Sequence, residues 1–509
     1  MSFWSAVRHA FAVPGARPRA QAPHRTTGGV PTLYGPSDQV IRGGLRRWRA
    51  EARYQCRFNP YAAQARRTLM VNLIGPKGIK MIGGIHKRVQ GGSLSTNEKD
   101  EAKNSILERE WKRFCRAENF DLAGRRSFLQ YEAAVANSLP PDGGCMVWAA
   151  RVPAPMGENT LRFQLLSMQQ LDDDYNGPTT AAGRFWHLGI EYEQATGRVA
   201  NYAILPGNIN AGRFPQRKHV IVPASEIRHI FIPEEIEQTR EVPWLLPGIT
   251  TIHQLNEYEK AHWVKKRNAA NTLGFIKRPP ADVAPAGTLP NEAPDPGELT
   301  TADLIARSSA GQYIELADGE EIETPDLGGD DNQYPEVVRT MLRRFAAALS
   351  LSYATLSRDF TQMNWATLRQ AVLEDRDYYR STQGIIIQQF HQWVYELWLD
   401  DSVVQGVLPI RLFGDYLVNP DPYLTPGWQP RSWKWVDPLK ETKALIEARK
   451  GRLETLAGQI AETTGEDLET VVAQLAYEEK LLQEAGLGSL CRDSGSGTDE
   501  GSTGSGSSP

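Results

Sequence analysis

Arg240-Glu-Val-Pro-Trp244-Leu-Leu-Pro247, running into an amphipathic stretch from Ile249 to Thr272, is the segment on which the reading of this chain turns. An insert from Pro279 to Gln333 follows, with thirteen Asp or Glu and one basic residue, Arg307. Helical pattern resumes at Pro335 and, after a polar break over 351–363, runs from Asn364 to Leu399. At ~1.5 Å rise per residue that last helix is expected to be about 54 Å long, with Gly384 as a candidate kink. Two helices holding out an acidic module, then a long spanning helix, suit a ring subunit with a channel better than an enzyme built around a pocket.

The first of these helices places Ile252, Leu255, Tyr258 and His262 near one face. Lys265, Lys266 and Arg267 occupy its last turns, where the helix dipole favours cations. In the second, Asp331 or Asn332 is a candidate cap and Pro335 fits the first turn. Val338, Met341, Leu342, Phe345 and Leu349 form its apolar stripe, with Arg339, Arg343 and Arg344 on the other side.

Outward from this region the texture changes. Residues 1–37 are rich in Pro, Gly and Arg and read as a flexible basic arm; over residues 1–60 ten Lys or Arg face two acids. A helix is expected from Asp38, with Ile41, Leu45, Trp48 and Ala52 at helical spacing and Arg42, Arg46, Arg49 and Arg53 beside them. Asn59-Pro60 closes it and opens a second over Tyr61–Asn72; a third is expected over Thr96–Ala117, capped by Thr96. Between Gly144 and Phe231 short β-prone runs dominate: Cys145–Arg151, Leu161–Leu166, Trp186–Tyr192, Val199–Leu205 and, just beyond, Ile227–Ile232, with Thr196-Gly197 as a hairpin turn. Short strands are expected again at Leu408–Phe413 and Trp433–Val436. Asp437-Pro438 then caps a charged helix, Thr464 caps another that Gly486 closes, and a Ser/Gly tail from Gly488 to Pro509 reads as disordered.

A chain of 509 residues with a formal charge of only −4 is not a nucleic-acid binder by overall balance. Its basic arm and acidic insert point instead to separate partners, or to subunits that meet with opposite charge. Cys56, Cys115, Cys145 and Cys491 stand far apart without a CxxC or Cys/His cluster, so neither a zinc site nor a disulfide framework is expected. No membrane-spanning run or secretory signal is evident. Asp172-Asp173-Asp174 could in principle bind Mg²⁺ for nuclease chemistry. On a strand, however, only Asp172 and Asp174 would converge, and no phosphate-binding GxxxxGK[ST] loop exists in the chain. No cofactor is expected.

Five stretches, taken in order, resemble the lambda-type portal proteins of tailed bacteriophages. They are Arg57–Ala63 running into Val71–Gly75; Leu171–Asp174; Gly189–Glu191 with Thr196–Arg198; Val222-Pro-Ala with Ile227–Phe231, leading to Arg240–Pro247 and Leu255–Glu259; and Trp365–Arg369 with Val394–Leu399, then Trp433–Glu441. The resemblance spans roughly residues 38–485. It implies an α+β portal-protein fold: an α/β wing over 38–248, stem helices over 249–272 and 334–350, and a small clip over 273–333. A tunnel loop over 351–363, a long helix over 364–399, wing return strands over 400–436 and a helical crown over 437–486 would follow, with 487–509 as the tail.

The same resemblance implies a non-enzymatic ring of about twelve subunits at one capsid vertex, through which double-stranded DNA is packaged and later ejected. The terminase large subunit, a head-completion, connector or tail protein, and the major capsid or scaffold protein would be its partners; no membrane is involved. The setting would be the virion, and the host cytoplasm during assembly. Arg358, in the tunnel loop beside Tyr353, Phe360 and Gln362, is the leading candidate for a non-specific phosphate contact. Lys265, Lys266, Arg339, Arg343 and Arg344 are further candidates, and Asp318, Glu320, Glu321 and Glu323 are candidates for the clip docking face. Two alternatives stay open: a minor capsid or connector component, and a DNA-binding scaffold gripping through the arginines at 42–57.

Overall fold

The computed structural model describes residues 37–88, 94–179, 183–206, 219–236, 238–271, 275–277, 321–323, 333–361, 363–433, 438–464 and 468–484. The basic arm, most of the acidic insert and the Ser/Gly tail lie outside them, as do Asp318, Glu320, Gln362, Asp331, Asn332, Asp437, Gly486 and Cys491.

Helices α1 (Ser37–Phe58) and α2 (Pro60–Leu73) meet at Asn59, whose side-chain oxygen accepts from the Tyr61 and Ala62 amides at 2.9 and 3.2 Å. Pro60 fits the first turn because no helical partner exists there for an N–H. Strands β1 (Lys80–Ile82), β2 (His86–Arg88) and β3 (Leu94–Lys99) precede helix α3 (Glu101–Phe114). The expected start of α3 at Thr96 is therefore corrected: residues 94–99 pair with β2, and Asp100 is the cap, accepting from Lys103 N at 3.2 Å. Asn104 locks this start by bonding both the N–H and the C=O of Ile85. After a helical turn, α4 (Ala117–Phe120), comes α5 (Phe128–Asp142), which has no counterpart among the expected helices. A Ser127/Gln130 capping box opens it, Pro140-Pro141 sit in its last turn, and Gly143 at φ +81° ends it.

Strands β4 (Gly144–Arg151), β5 (Leu161–Leu166), β6 (Gly177–Pro178), β7 (Arg184–His187), β8 (Ile190–Glu193), β9 (Val199–Ile204), β10 (Val220–Pro223) and β11 (Ile227–Phe231) build two antiparallel sheets. Their orders are β11-β4-β5 and β10-β9-β8-β7-β6. The single strand expected over Trp186–Tyr192 is two strands. The chain folds back at Leu188-Gly189, where both residues take positive φ and a Cβ at Gly189 would stand 2.6 Å from the Asp172 carbonyl oxygen. Gly197, at φ +71°, makes the expected turn into β9.

Next come α6 (Leu246–Asn271), the paired strands β12 (Phe275–Lys277) and β13 (Glu321–Glu323), then α7 (Tyr334–Ala348) and the short α8 (Tyr353–Ser357). Gln333 stands at the cap of α7 without a side-chain bond. The long helix consists of α9 (Trp365–Ile386), a π turn (Ile387–His391) and α10 (Gln392–Val404). Its irregularity falls at the π turn rather than at Gly384, the candidate kink. The turn has a use: the Gln389 carbonyl accepts from Arg228 Nε at 2.9 Å, and the Gln389 amide bonds both the N–H and C=O of Phe231.

The return segment also differs from expectation. Ile410–Phe413 is a helical turn, α11, behind Pro409, and the only strand described there is β14 (Gly427–Gln429), paired with β1; the strand expected over Trp433–Val436 lies, beyond Trp433, outside the described residues. Helices α12 (Pro438–Lys450), α13 (Leu456–Thr464) and α14 (Leu468–Glu484) follow; Thr464 ends α13 instead of capping the next helix. No described helix is long and apolar enough to cross a membrane.

The main core is aromatic. Trp111 packs edge-on against Trp398 with ring centroids 5.1 Å apart, Phe120 stacks on Phe163 at 4.8 Å, and Phe128 stacks on Phe390 at 5.3 Å. These rings tie α3, α4, α5 and β5 to the long helix. Below them Glu132 accepts from the Ile79 amide at 2.9 Å and lies 2.7 Å from His391 Nε2, both side chains being buried.

A second tie is ionic. Residues Ile41, Leu45, Arg49, Ala52 and Cys56 form the buried row of α1, so an arginine occupies the middle of an apolar stripe. Arg49 pairs with Glu241, which is fully buried, and reaches Asp173 at 3.6 Å. Arg240, also fully buried, donates to Asp173 Oδ1 and to the Leu188 carbonyl, each at 2.6 Å. His229 on β11 lies 2.9 Å from the second oxygen of Glu241. Burial and the nearby Arg240 push Arg49 down to about 9, which leaves it charged at neutral pH. Burial, then Arg240 and Arg49, holds His229 well below its ordinary 6.5, so it bonds Glu241 as the neutral imidazole.

Replacing Glu241 by Gln removes the close carboxylate of buried Arg49 and leaves it only Asp173 at 3.6 Å, and denaturant unfolding should register a loss on the order of 3 kcal/mol. The pH dependence follows from His229. The unfolded chain binds a proton there that the folded chain refuses, so stability falls as pH drops below about 6.5. Melting temperatures recorded on both sides of that value should drop less in His229→Gln than in the parent. At Gly248 an added Cβ would stand 2.6 Å from the ring of fully buried Phe345, so Gly248→Ala should destabilise the α6–α7 pair by roughly 1–3 kcal/mol in the same assay.

Candidate functional site

Helices α6 and α7 pack through Ile252 and Leu255 against Leu342 and Phe345, all buried. Toward the insert the pair is held by rings: Tyr334 stacks on His262 at 4.0 Å and on Tyr258 at 5.8 Å. Immediately beyond, β12 and β13 pair antiparallel, with Phe275 opposite Glu323 and Lys277 opposite Glu321. The pairing brings residues 275–277 and 321–323 together, and Glu321 and Glu323 lie on the paired strand.

The polar break after α7 is not a bare loop. Ser352 caps α8, accepting from Thr355 N, and Asp375 of α9 takes bonds from Ser352 N, Ser352 Oγ and Thr355 Oγ1 at 2.8, 2.8 and 2.5 Å. One buried carboxylate thus pins the segment to the long helix. Arg358 closes α8 in the left-handed conformation at φ +56°. Asp359 accepts from Thr361 Oγ1 and N at 2.6 and 3.1 Å and from the Tyr353 hydroxyl at 3.1 Å, which keeps its carboxyl below the usual range. Asn364 caps α9 by accepting from Thr367 N at 2.8 Å.

Among the candidates for a DNA contact, Arg339, Arg343 and Arg358 gather around this segment. The Arg343 guanidinium sits 5.7 Å from the Tyr353 ring centre, and Arg339 pairs with Glu336 at 3.1 Å while acting on Asp359. Arg358 is exposed; with the Gln64 amide turned to accept, it donates from Nε at 2.8 Å and Nη2 at 3.0 Å to α2. Arg344 is exposed on α7, Lys265 is exposed and Lys266 half-buried on the last turns of α6. Phe360 and Trp365 are 53% and 57% exposed, while Tyr353 is half-buried. Asp375 and Gln64 are not among the expected site residues; neither polar side chain carries a spacing that marks its partner.

The ionic tie engages both the acidic trio and part of the arginine row of α1. Asp173 of the acidic trio faces Arg240 and Arg49, Asp174 pairs with Arg46 at 2.8 Å, and Asp172 lies 3.3 Å from His219. The oxygens of the trio are thus given to side chains of the same chain, and among the described residues no group of His, Cys, Asp or Glu is placed to hold a metal. Of the arginines at 42–57, Arg46, Arg49 and Arg53 are paired with Asp174, Glu241 and Asp142.

A family model described as "Phage portal protein, lambda family" matches residues 23–383. The chain is similar to a probable portal protein of Halomonas phage phiHAP-1, 27% identical over 462 residues that cover 89% of this chain and 84% of that one. It is also similar to portal protein B of Escherichia phage lambda, 25% identical over 195 residues, or 38% of this chain and 36% of the other. A solved chain from the virion of a native gene transfer agent particle aligns with a TM-score of 0.44 at 14% identity, over 84% of this chain and 94% of that one. The family model spans well over half of the residues: the chain belongs to the lambda family of phage portal proteins.

Proposed function

We propose that the chain is the subunit of a ring of about twelve copies at one vertex of a phage head, lining the channel through which double-stranded DNA enters and leaves. Family membership supports the portal role. The observation that carries the channel reading is the segment 351–361, pinned by Asp375 to the long helix and presenting Arg358 and Phe360 to the outside. In this reading the sheets and the helices packed on them, with residues 400–436, are the wing. Helices α6 and α7 are the stem, the insert beyond β12 and β13 is the clip, 351–363 is the tunnel loop and α12–α14 form the crown.

A duplex has to slide, so a channel wall gains from sparse, screened charge and loses from tight base contacts. Arg358 meets that need: its guanidinium is held by a neutral amide rather than quenched by a carboxylate. Arg339, already paired with Glu336, is a weaker contact, and Arg343, over Tyr353, is intermediate. The exposed rings of Trp263, Phe360 and Trp365 fit packing between neighbouring copies better than base stacking, since a duplex offers no free base faces. The subunit is structural; the terminase large subunit supplies the ATP turnover and docks on the acidic clip, as the connector or tail protein does later. The ring assembles in the host cytoplasm against capsid or scaffold protein and stays in the virion.

Native mass spectrometry with negative-stain imaging is expected to find closed rings with a central hole, and a stable monomer at all concentrations would count against the reading. Arg358→Glu should leave ring assembly intact and lower the DNA packaged per head; unchanged packaging would remove its role. Replacing residues 279–319 by a Gly/Ser linker, which keeps β12 and β13, should preserve rings and abolish terminase binding in a pull-down.

A further inference from the structure

We propose that the cleft between α1, α5 and the edges of the two sheets is a docking site for an extended, acidic segment of a partner protein. The cleft encloses about 1170 Å³ and is lined by Arg53, Arg57, Arg66, Arg125 and Arg126. Its two carboxylates are already committed. Asp142 pairs with Arg53 at 2.6 Å, and Asp121 accepts from the Tyr131 hydroxyl and from the Arg125 and Arg126 amides. Arg57, Arg125 and Arg126 are exposed and form no ion pair with any described residue. The cleft is therefore strongly positive without being internally neutralised.

The opposite wall supplies an independent observation. Strand β10 is the outermost strand of the five-stranded sheet, and no described strand pairs with its outer edge. Val220 and Ile221 on it are 52% and 51% exposed, and Val220 and Val222 line the cleft together with Trp148. An edge with apolar side chains that no described strand covers is a liability that proteins usually manage. A strand added there would pair with the backbone groups that no described strand takes, turning one set of alternate side chains into the cleft toward the arginines and laying the other set beside Ile221 on the opposite face. Carboxylates suit those arginines. Duplex DNA suits them too, but it has no backbone donors for a strand edge and would leave Val220 and Ile221 wet. The chain's own first 36 residues carry arginines and no acid, so their charge does not match this cleft. We assign the occupant as an acidic strand from another protein; competition by the chain's own acidic insert would show instead as binding lost in the full chain and recovered when residues 279–319 are replaced by a Gly/Ser linker, which would overturn the assignment.

The test is fluorescence anisotropy on the full chain, with a labelled peptide alternating valine and aspartate as one probe and a labelled DNA duplex as the other. The peptide should bind, weaken with added salt, and slow amide exchange at residues 220–223. Arg57→Glu/Arg125→Glu/Arg126→Glu should weaken it by roughly tenfold or more, with rings and melting temperature unchanged. Val220→Thr/Ile221→Thr, which keeps strand propensity, should weaken it several-fold. Three further results would overturn the proposal: peptide binding indifferent to both variants, duplex binding in the cleft in place of the peptide, or loss of rings in the arginine variant. The last would make the cleft a seam between copies of this chain.

Discussion

A carboxylate without water has to find its partners inside the protein, and Glu241 finds them on three sides, two of them charged. Arg49 arrives from α1, Arg240 from the adjacent position, and His229 from β11. Arg240 in turn reaches Asp173 and the Leu188 carbonyl, which belong to the turns feeding the five-stranded sheet. One buried cluster therefore sets the first helix, both sheets and the approach to α6 against one another. Removing water from such charges is costly, so the geometry tolerates little slippage; a hydrophobic seam of the same area would accept small sliding, whereas this one does not. The sharp fold at Leu188-Gly189 has the same origin, since it points a carbonyl at Arg240.

From that anchored body the stem leaves at Trp244–Leu246, and the rest of the functional region hangs on short-range constraints. Gly248 allows Phe345 to seat against α6, and the Tyr258, Tyr334 and His262 rings hold the far end. Asp375 then fastens the segment after α7 to the long helix, and Gln383 donates to the carbonyls of Asn72 and Leu73 at the end of α2. A loop proposed to touch moving DNA needs this kind of support. Its polar groups are satisfied from within, so the one exposed guanidinium on it, Arg358, is positioned rather than trailing.

Strong periodicity makes a helix legible in the chain itself: α1, α2, α6, α7 and the long helix all fall close to their expected ranges. So do β4, β5, β9 and β11, whose alternation and flanking turns speak for themselves. The departures share a cause. Residues 94–99 are polar enough to begin a helix, and only β2 beside them makes them a strand. Pro140-Pro141 disguises the end of α5, although prolines in a last turn cost that helix only bonds that its other contacts replace. Ile410–Phe413 is apolar and short, and nothing local separates a strand from a helical turn there. The arginines of α1 resemble a solvent or DNA face because their carboxylate partners lie 128 and 192 residues away in the chain.

The sequence alone determined the order of parts: a basic start, a mixed body, two helices around an acidic insert, a polar break and a long helix. It did so because periodicity, capping residues and charge runs are local properties that a chain carries before it folds. It also determined the family, through the order of short motifs rather than through any one of them. Which charges are buried, how the arginine in the polar break is held, and which sheet edge no described strand covers were decided only by the tertiary structure. Each depends on partners brought together across the chain, and the free energy of a charge or a strand edge is set by what lies against it, which no window of neighbouring residues contains.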